Sequence, residues 1–114
     1  GTQATIQGNA IHQGALASTT LTDNTSTFTT TGIDLDMANE FGVNIKYLII
    51  RNTARRTGTL TVSGTSSAVS FVDNFVENAT TGVTFFVTTG GVVQYKTTST
   101  GSNATFKYSI ETIV

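Results

Sequence analysis

The chain has 114 residues with seven acids, six Lys or Arg and one His, for a net charge of −1; 11% of residues are charged, 38% are hydrophobic, and there is no Cys, Pro or Trp. So few cations argue against nucleic-acid binding, which needs them clustered. The lack of Cys removes disulfides and thiolate chemistry, and no apolar run reaches the roughly 18 residues of a membrane-spanning helix.

About a fifth of the residues are Thr, a β-branched residue that suits a pleated surface better than a helix. The composition therefore predicts an all-β fold with a neutral, hydroxyl-rich surface. Residues 1–30 are loosely patterned. Weak alternation runs through Ala4, Ile6, Ile11 and Leu16, and a stretch of Thr, Ser and Asn surrounds Leu21 and Phe28. We expect an arm or a pair of edge strands there, and a single sandwich domain over residues 31–114. The chain opens in mid-pattern, which leads us to expect a domain of a longer protein.

A short helix is expected at Asp36–Phe41, capped by Asp34 or Asp36 and ended by Gly42. The segment Val43–Asn52 alternates and then turns apolar on both faces through Leu48, Ile49 and Ile50, so it should be a central strand covered on both sides. A turn is expected over Asn52–Gly58. Strands follow around Leu60 and Val62, around Val69 and Phe71, at Val83–Thr88 and around Val93 and Tyr95. The clearest alternation is Ala104–Thr112, with Ala104, Phe106, Tyr108 and Ile110 on one face and Thr105, Lys107, Ser109 and Glu111 on the other. Gly-containing turns at short intervals complete the pattern of an antiparallel β-sandwich.

Few residues here carry chemistry. His12, the one histidine, has no nucleophile elbow or acid partner beside it in sequence, so it reads as a polar strand or loop residue. Asp34 and Asp36, with Asp23 or Asn39, offer oxygens to Ca²⁺, but too few for its six to eight ligands, and helix capping explains the two acids. Asp73 and Glu77 form an acid pair of the glycosidase type only across a cleft, and a hairpin loop around Asn74 is the simpler expectation. We expect no catalytic residues, no metal and no cofactor. The sequons at Asn24, Asn78 and Asn103 carry no information in so Ser- and Thr-rich a chain.

The densest charge is R-N-T-A-R-R-T-G, which begins at Arg51. Arginine forks suit carboxylates and phosphates. Arg51, Arg55 and Arg56, with Tyr95, are therefore the candidate contacts to a glycan or another anion, and a solvated turn is the plainer alternative. The apolar residues Ile110, Ile113 and Val114 are the candidate oligomer interface.

Several stretches resemble the terminal β-domains of bacteriophage tailspikes and tail fibres. They are Y-L-I-I-R-N from Tyr47, G-T-L-T-V-S from Gly58 and A-T-F-K-Y-S-I from Ala104. I-Q-G-N-A-I-H-Q-G from Ile6 is similar to short G-N-x-I-x-H-x-G stretches of tail-fibre proteins. The resemblance implies a jelly-roll-like sandwich and a homotrimer in the virion that locks a fibre end and sometimes touches host cell-surface polysaccharide. It carries over no site residue. The alternatives are a stand-alone carbohydrate-binding module, or another virion structural protein such as a capsid decoration or neck protein.

Overall fold

The computed structural model describes residues 12–13, 16–39 and 42–113. Among the described residues there are nine strands: β1 (His12–Gln13), β2 (Ala17–Leu21), β3 (Thr29–Asp34), β4 (Gly42–Arg51), β5 (Ala54–Gly64), β6 (Val69–Glu77), β7 (Val83–Val87), β8 (Val92–Thr97) and β9 (Ala104–Ile113). They form two antiparallel sheets packed face to face, a β-sandwich. The large sheet runs β1-β9-β4-β5-β6, with β2 also on β9, and the small sheet runs β3-β8-β7.

The core follows from alternation. Val43, Ile45, Tyr47 and Ile49 point inward from β4; Leu60 and Val62 sit opposite Ile45 and Val43 on β5; Phe106 and Ala104 continue the same face on β9. The small sheet answers with Ile33, Val83, Phe85, Val87, Val93 and Tyr95. Phe106 packs on both Tyr47 and Phe85, with ring centroids 5.6 and 5.2 Å apart. Each fully buried Leu, Ile, Val or Phe in this set contributes about 1.5–3 kcal/mol relative to exposure.

Three expectations are corrected. The strand at Val43–Asn52 is central, between β9 and β5, but among the described residues only one of its faces is covered. Leu48 and Ile50 lie half-buried on the outer face among Thr and Lys side chains. The turn expected over Asn52–Gly58 shrinks to Asn52 and Thr53, with Asn52 at a φ of 56°, and β5 resumes at Ala54. The helix expected at Asp36–Phe41 is a turn at residues 37–39, where the Asn39 N–H donates to the Asp36 carbonyl; residues 40 and 41 lie outside the described set. Of residues 1–30, β1 and β2 pair with β9 at an edge of the large sheet, and Leu21 is fully buried in the core.

Candidate functional site

The strand after the Asn52–Thr53 turn decides what the arginines do. With β5 starting at Ala54, alternation sends Arg56 inward and Arg55 outward, while Arg51, the last residue of β4, also faces inward. Arg51 is 2% exposed. Its Nε donates to the Ser102 carbonyl at 3.0 Å, Nη1 to the Thr81 carbonyl at 2.8 Å, and Nη2 to the Thr98 carbonyl at 2.7 Å and to the Asp23 carboxylate. These partners come from three of the four connections that cross between the sheets. The guanidinium therefore ties one end of the sandwich together. Asp23 also accepts the Thr100 and Gly101 N–H groups. The Thr100 bond leads the effects that hold its carboxyl below the usual range, against the opposing effect of burial. Gly82 makes room for this knot: at its φ of 67°, a Cβ would stand 2.1 Å from the Thr98 hydroxyl.

Arg56, 4% exposed, forms a second knot. Its Nε donates to Glu77 at 2.9 Å, Nη1 to Asp73 at 3.3 Å and Nη2 to the Val83 carbonyl at 2.7 Å, while its plane lies 3.9 Å from the Phe75 ring centre. The Tyr47 hydroxyl donates to the other Asp73 oxygen. Burial raises the Asp73 carboxyl above the usual range in spite of the bonds from Tyr47 and Arg56. Burial also works against the Glu77 anion, but the Thr81 hydroxyl and N–H, with Arg56, outweigh it and hold Glu77 below its ordinary value. The Tyr47 phenol is pushed well above its usual range by burial and by Asp73. The Asp73–Glu77 segment lies in strand β6, not in a hairpin loop. Both acids are ion-paired with Arg56.

Tyr95 is buried, and its hydroxyl accepts the Thr22 N–H at 3.0 Å. Of the four candidate glycan contacts, only Arg55 is on the surface; its Nη1 bonds the Asn52 and Ala54 carbonyls. Ile110 faces inward and packs half-buried against the core, while the side chain of Ile113 and all of Val114 lie outside the described residues. Of the acids weighed as Ca²⁺ ligands, Asp34 and Asp36 are exposed, with Asp36 bonded to the Asn39 amide, and Asp23 is committed to Arg51. Among the described residues no group of three or more His, Asp or Glu is placed to hold a metal.

The surfaces that remain open were not singled out in the sequence. On the outer face of the large sheet, Thr57, Thr59 and Thr61 line β5. An open depression with about 530 Å³ of room lies over Gly58, between Lys46, Thr57, Thr59, Asn74 and Val76. A hydrogen-bonded row crosses beside it: the Thr61 hydroxyl donates to Asn44, the Asn44 amide donates to Glu111 at 3.3 Å, and Lys46 sits 3.7 Å from the other Glu111 oxygen. Strand β6 ends the sheet and exposes Val72, Phe75 and Val76. On the small sheet, Phe86 is 41% exposed and touches Phe28 and Phe71, with Lys96 over the Phe28 ring. Strict alternation on β5 and β6 was the available signal for the outer face, but the expected turn hid it.

No family model matches the sequence, and no curated protein matches it. Two solved structures are similar in fold. One is tailspike protein gp49 from Acinetobacter baumannii bacteriophage Fri1, a capsular polysaccharide depolymerase. It is 17% identical with a TM-score of 0.55, and the match covers 89% of this chain and 17% of that one. The other is the Acinetobacter phage vB_ApiP_P1 tailspike protein, 12% identical with a TM-score of 0.51, covering 98% of this chain and 24% of that one. The chain thus spans less than a quarter of either tailspike.

Proposed function

We propose that this chain is a non-catalytic structural domain of a phage tailspike or tail fibre, a homotrimer in the virion that also meets host cell-surface glycan. The observation that carries the reading is the fold likeness to two phage tailspikes over nearly the whole chain. A structural rather than catalytic role is supported by the commitment of Asp73 and Glu77 to Arg56.

Self-association is supported by β6. This nine-residue edge strand pairs with β5 in unbroken register and lacks the Lys, Pro or bulge that blunts such edges. It exposes Val76 at 77% and Val72 at 51%. Copies of the chain meet along this edge, with the segment of Ile110, Ile113 and Val114 as a further contact.

Light scattering after size exclusion at micromolar concentration tests the reading. Three chain masses, falling to one in a Val76→Lys variant, are expected. A monomer for the unsubstituted chain overturns the trimer and makes a stand-alone carbohydrate-binding module the leading reading. Cleavage of capsular polysaccharide by the isolated chain would overturn the non-catalytic part.

A further inference from the structure

The charges of this chain are sorted by position. Arg51 and Arg56 are buried and matched by Asp23, Asp73 and Glu77. The described acids that remain exposed, Asp34 and Asp36, lie on or beside β3 of the small sheet. Three of the four remaining cations, Lys46, Arg55 and Lys107, fall on the outer face of the large sheet, where register aligns them with Leu48, Ile50 and the Thr row. Among the described residues the one acid on that face is Glu111. Its side chain is 12% exposed, against 54% for Lys46, and it is held by Asn44 and Lys46. A chain of net charge −1 therefore carries a face of net positive charge.

We propose that this face binds an acidic oligosaccharide. The Thr57 and Thr59 hydroxyls and the Asn74 amide around the depression bond sugar hydroxyls, and Lys46, Lys107 and Arg55 meet the carboxylates. Three features favour this occupant. The room over Gly58 falls within the roughly 300–1,000 Å³ typical of small-molecule sites. Its walls combine hydroxyls and an amide with the apolar Val76, which suits the mixed C–H and O–H surface of a sugar. The cations are spread rather than clustered: strand spacing of about 4.8 Å and a two-residue rise of about 6.8 Å put the Lys46 and Lys107 backbones roughly 8 Å apart on adjacent strands. Among the described residues Lys107 has no ion-pair partner, and the Arg55 guanidinium bonds the Asn52 and Ala54 carbonyls of its own turn and no acid. The proposal rests on the glycan contact in the reading above and moves it to a face that contains only one of the arginines first considered, Arg55.

The test is amide-shift mapping by NMR of the intact chain with three acidic probes: an oligogalacturonate, a hyaluronan tetrasaccharide and an oligosialate. Controls are the methyl-esterified oligogalacturonate, maltotetraose and a short single-stranded DNA. At least one acidic probe should shift Lys46, Thr57, Thr59, Asn74 and Lys107. Affinity should weaken with added salt and drop at least about fivefold in Lys107→Gln, whose surface position leaves the fold intact. No shift with any acidic probe, shifts confined to the small sheet, equal binding of the esterified probe, or tighter binding of DNA would each overturn the site. None of those outcomes touches the oligomeric mass, so the structural reading stands or falls separately.

Discussion

The Tyr47 hydroxyl reaches Asp73 across the full width of strand β5. Tyr47 lies on β4 and Asp73 on β6, and the residue between them, opposite Tyr47, is Gly58. A Cβ at position 58 would stand 2.8 Å from the Tyr47 hydroxyl and 2.7 Å from the Asn74 carbonyl oxygen. The missing side chain is what lets one aromatic ring bridge three strands.

Gly58→Ala should therefore destabilise the domain by about 1–3 kcal/mol through overpacking, although alanine is otherwise the better strand residue. Tyr47→Phe should cost about 1–3 kcal/mol by depriving a largely buried carboxylate of a donor. If the two losses arise from one bridge, the double variant costs less than their sum. Urea denaturation of the four proteins reads that coupling, and strict additivity would show that ring and glycine act independently.

Arg56→Met should cost about 3–5 kcal/mol, because it leaves Asp73 and Glu77 beside one another without a cation. Adding Glu77→Gln and Asp73→Asn should recover part of the loss, since the penalty lies in the uncompensated charges. Thermal melts of the single and triple variants make the comparison. A triple variant no more stable than Arg56→Met would place the loss in the packing of the guanidinium on Phe75.

Arg51→Lys keeps the charge and removes the fork. Lysine cannot serve the Ser102, Thr81 and Thr98 carbonyls and Asp23 together from one planar group. A loss of about 2–4 kcal/mol is expected. Hydrogen exchange should show the connections 22–28, 78–82 and 98–103 opening together in this variant, whereas a purely global loss would leave their relative protection unchanged.

Acid stability divides by residue. Glu77 has its carboxyl held below the ordinary value of 4.5, so the unfolded chain binds protons more readily, and its contribution fades as pH falls from 4.5 through the folded value. Asp23 behaves the same way from 3.8 downward. Asp73 is raised above 3.8, so the native state takes up its proton first, and its ionisation weakens the fold as pH rises through the folded value. Glu77→Gln should flatten the loss of stability on acidification below 4.5, and Asp73→Asn should steepen the acid limb. Melting temperatures across pH 3–6 decide; identical profiles would remove both assignments.

Much of the fold was legible because alternation has a period of two and Thr favours strands. Ala104, Phe106, Tyr108 and Ile110 all face inward as the pattern required. The arginines were not legible. In R-N-T-A-R-R the question is where the turn ends. Asn52 at positive φ closes it in two residues, while the nearby Gly58, a stronger turn signal, serves a crossing side chain instead. That small shift moved Arg56 from solvent into the core. The partners of Arg51 lie 28 to 51 residues away, a pairing that local sequence does not reveal. The helix expected at Asp36 yielded to a turn because Asp36 and Asn39 bond each other, as short polar side chains do in turns.

Strand β9 lies between β4 and the β1–β2 edge, pairing with three strands that precede it by some fifty to a hundred residues. As the chain leaves the ribosome, β4, β5 and β6 can form a meander, yet the ladder on the other side of β4 stays open until β9 arrives. Until then β4 is an unpaired edge, rich in Ile and Val, of the kind that pairs with strangers. Contacts this distant in sequence also slow folding. Crowded synthesis should therefore be the stage at which this domain aggregates, and a peptide copying β9, supplied in trans, should rescue a chain that stops short of it.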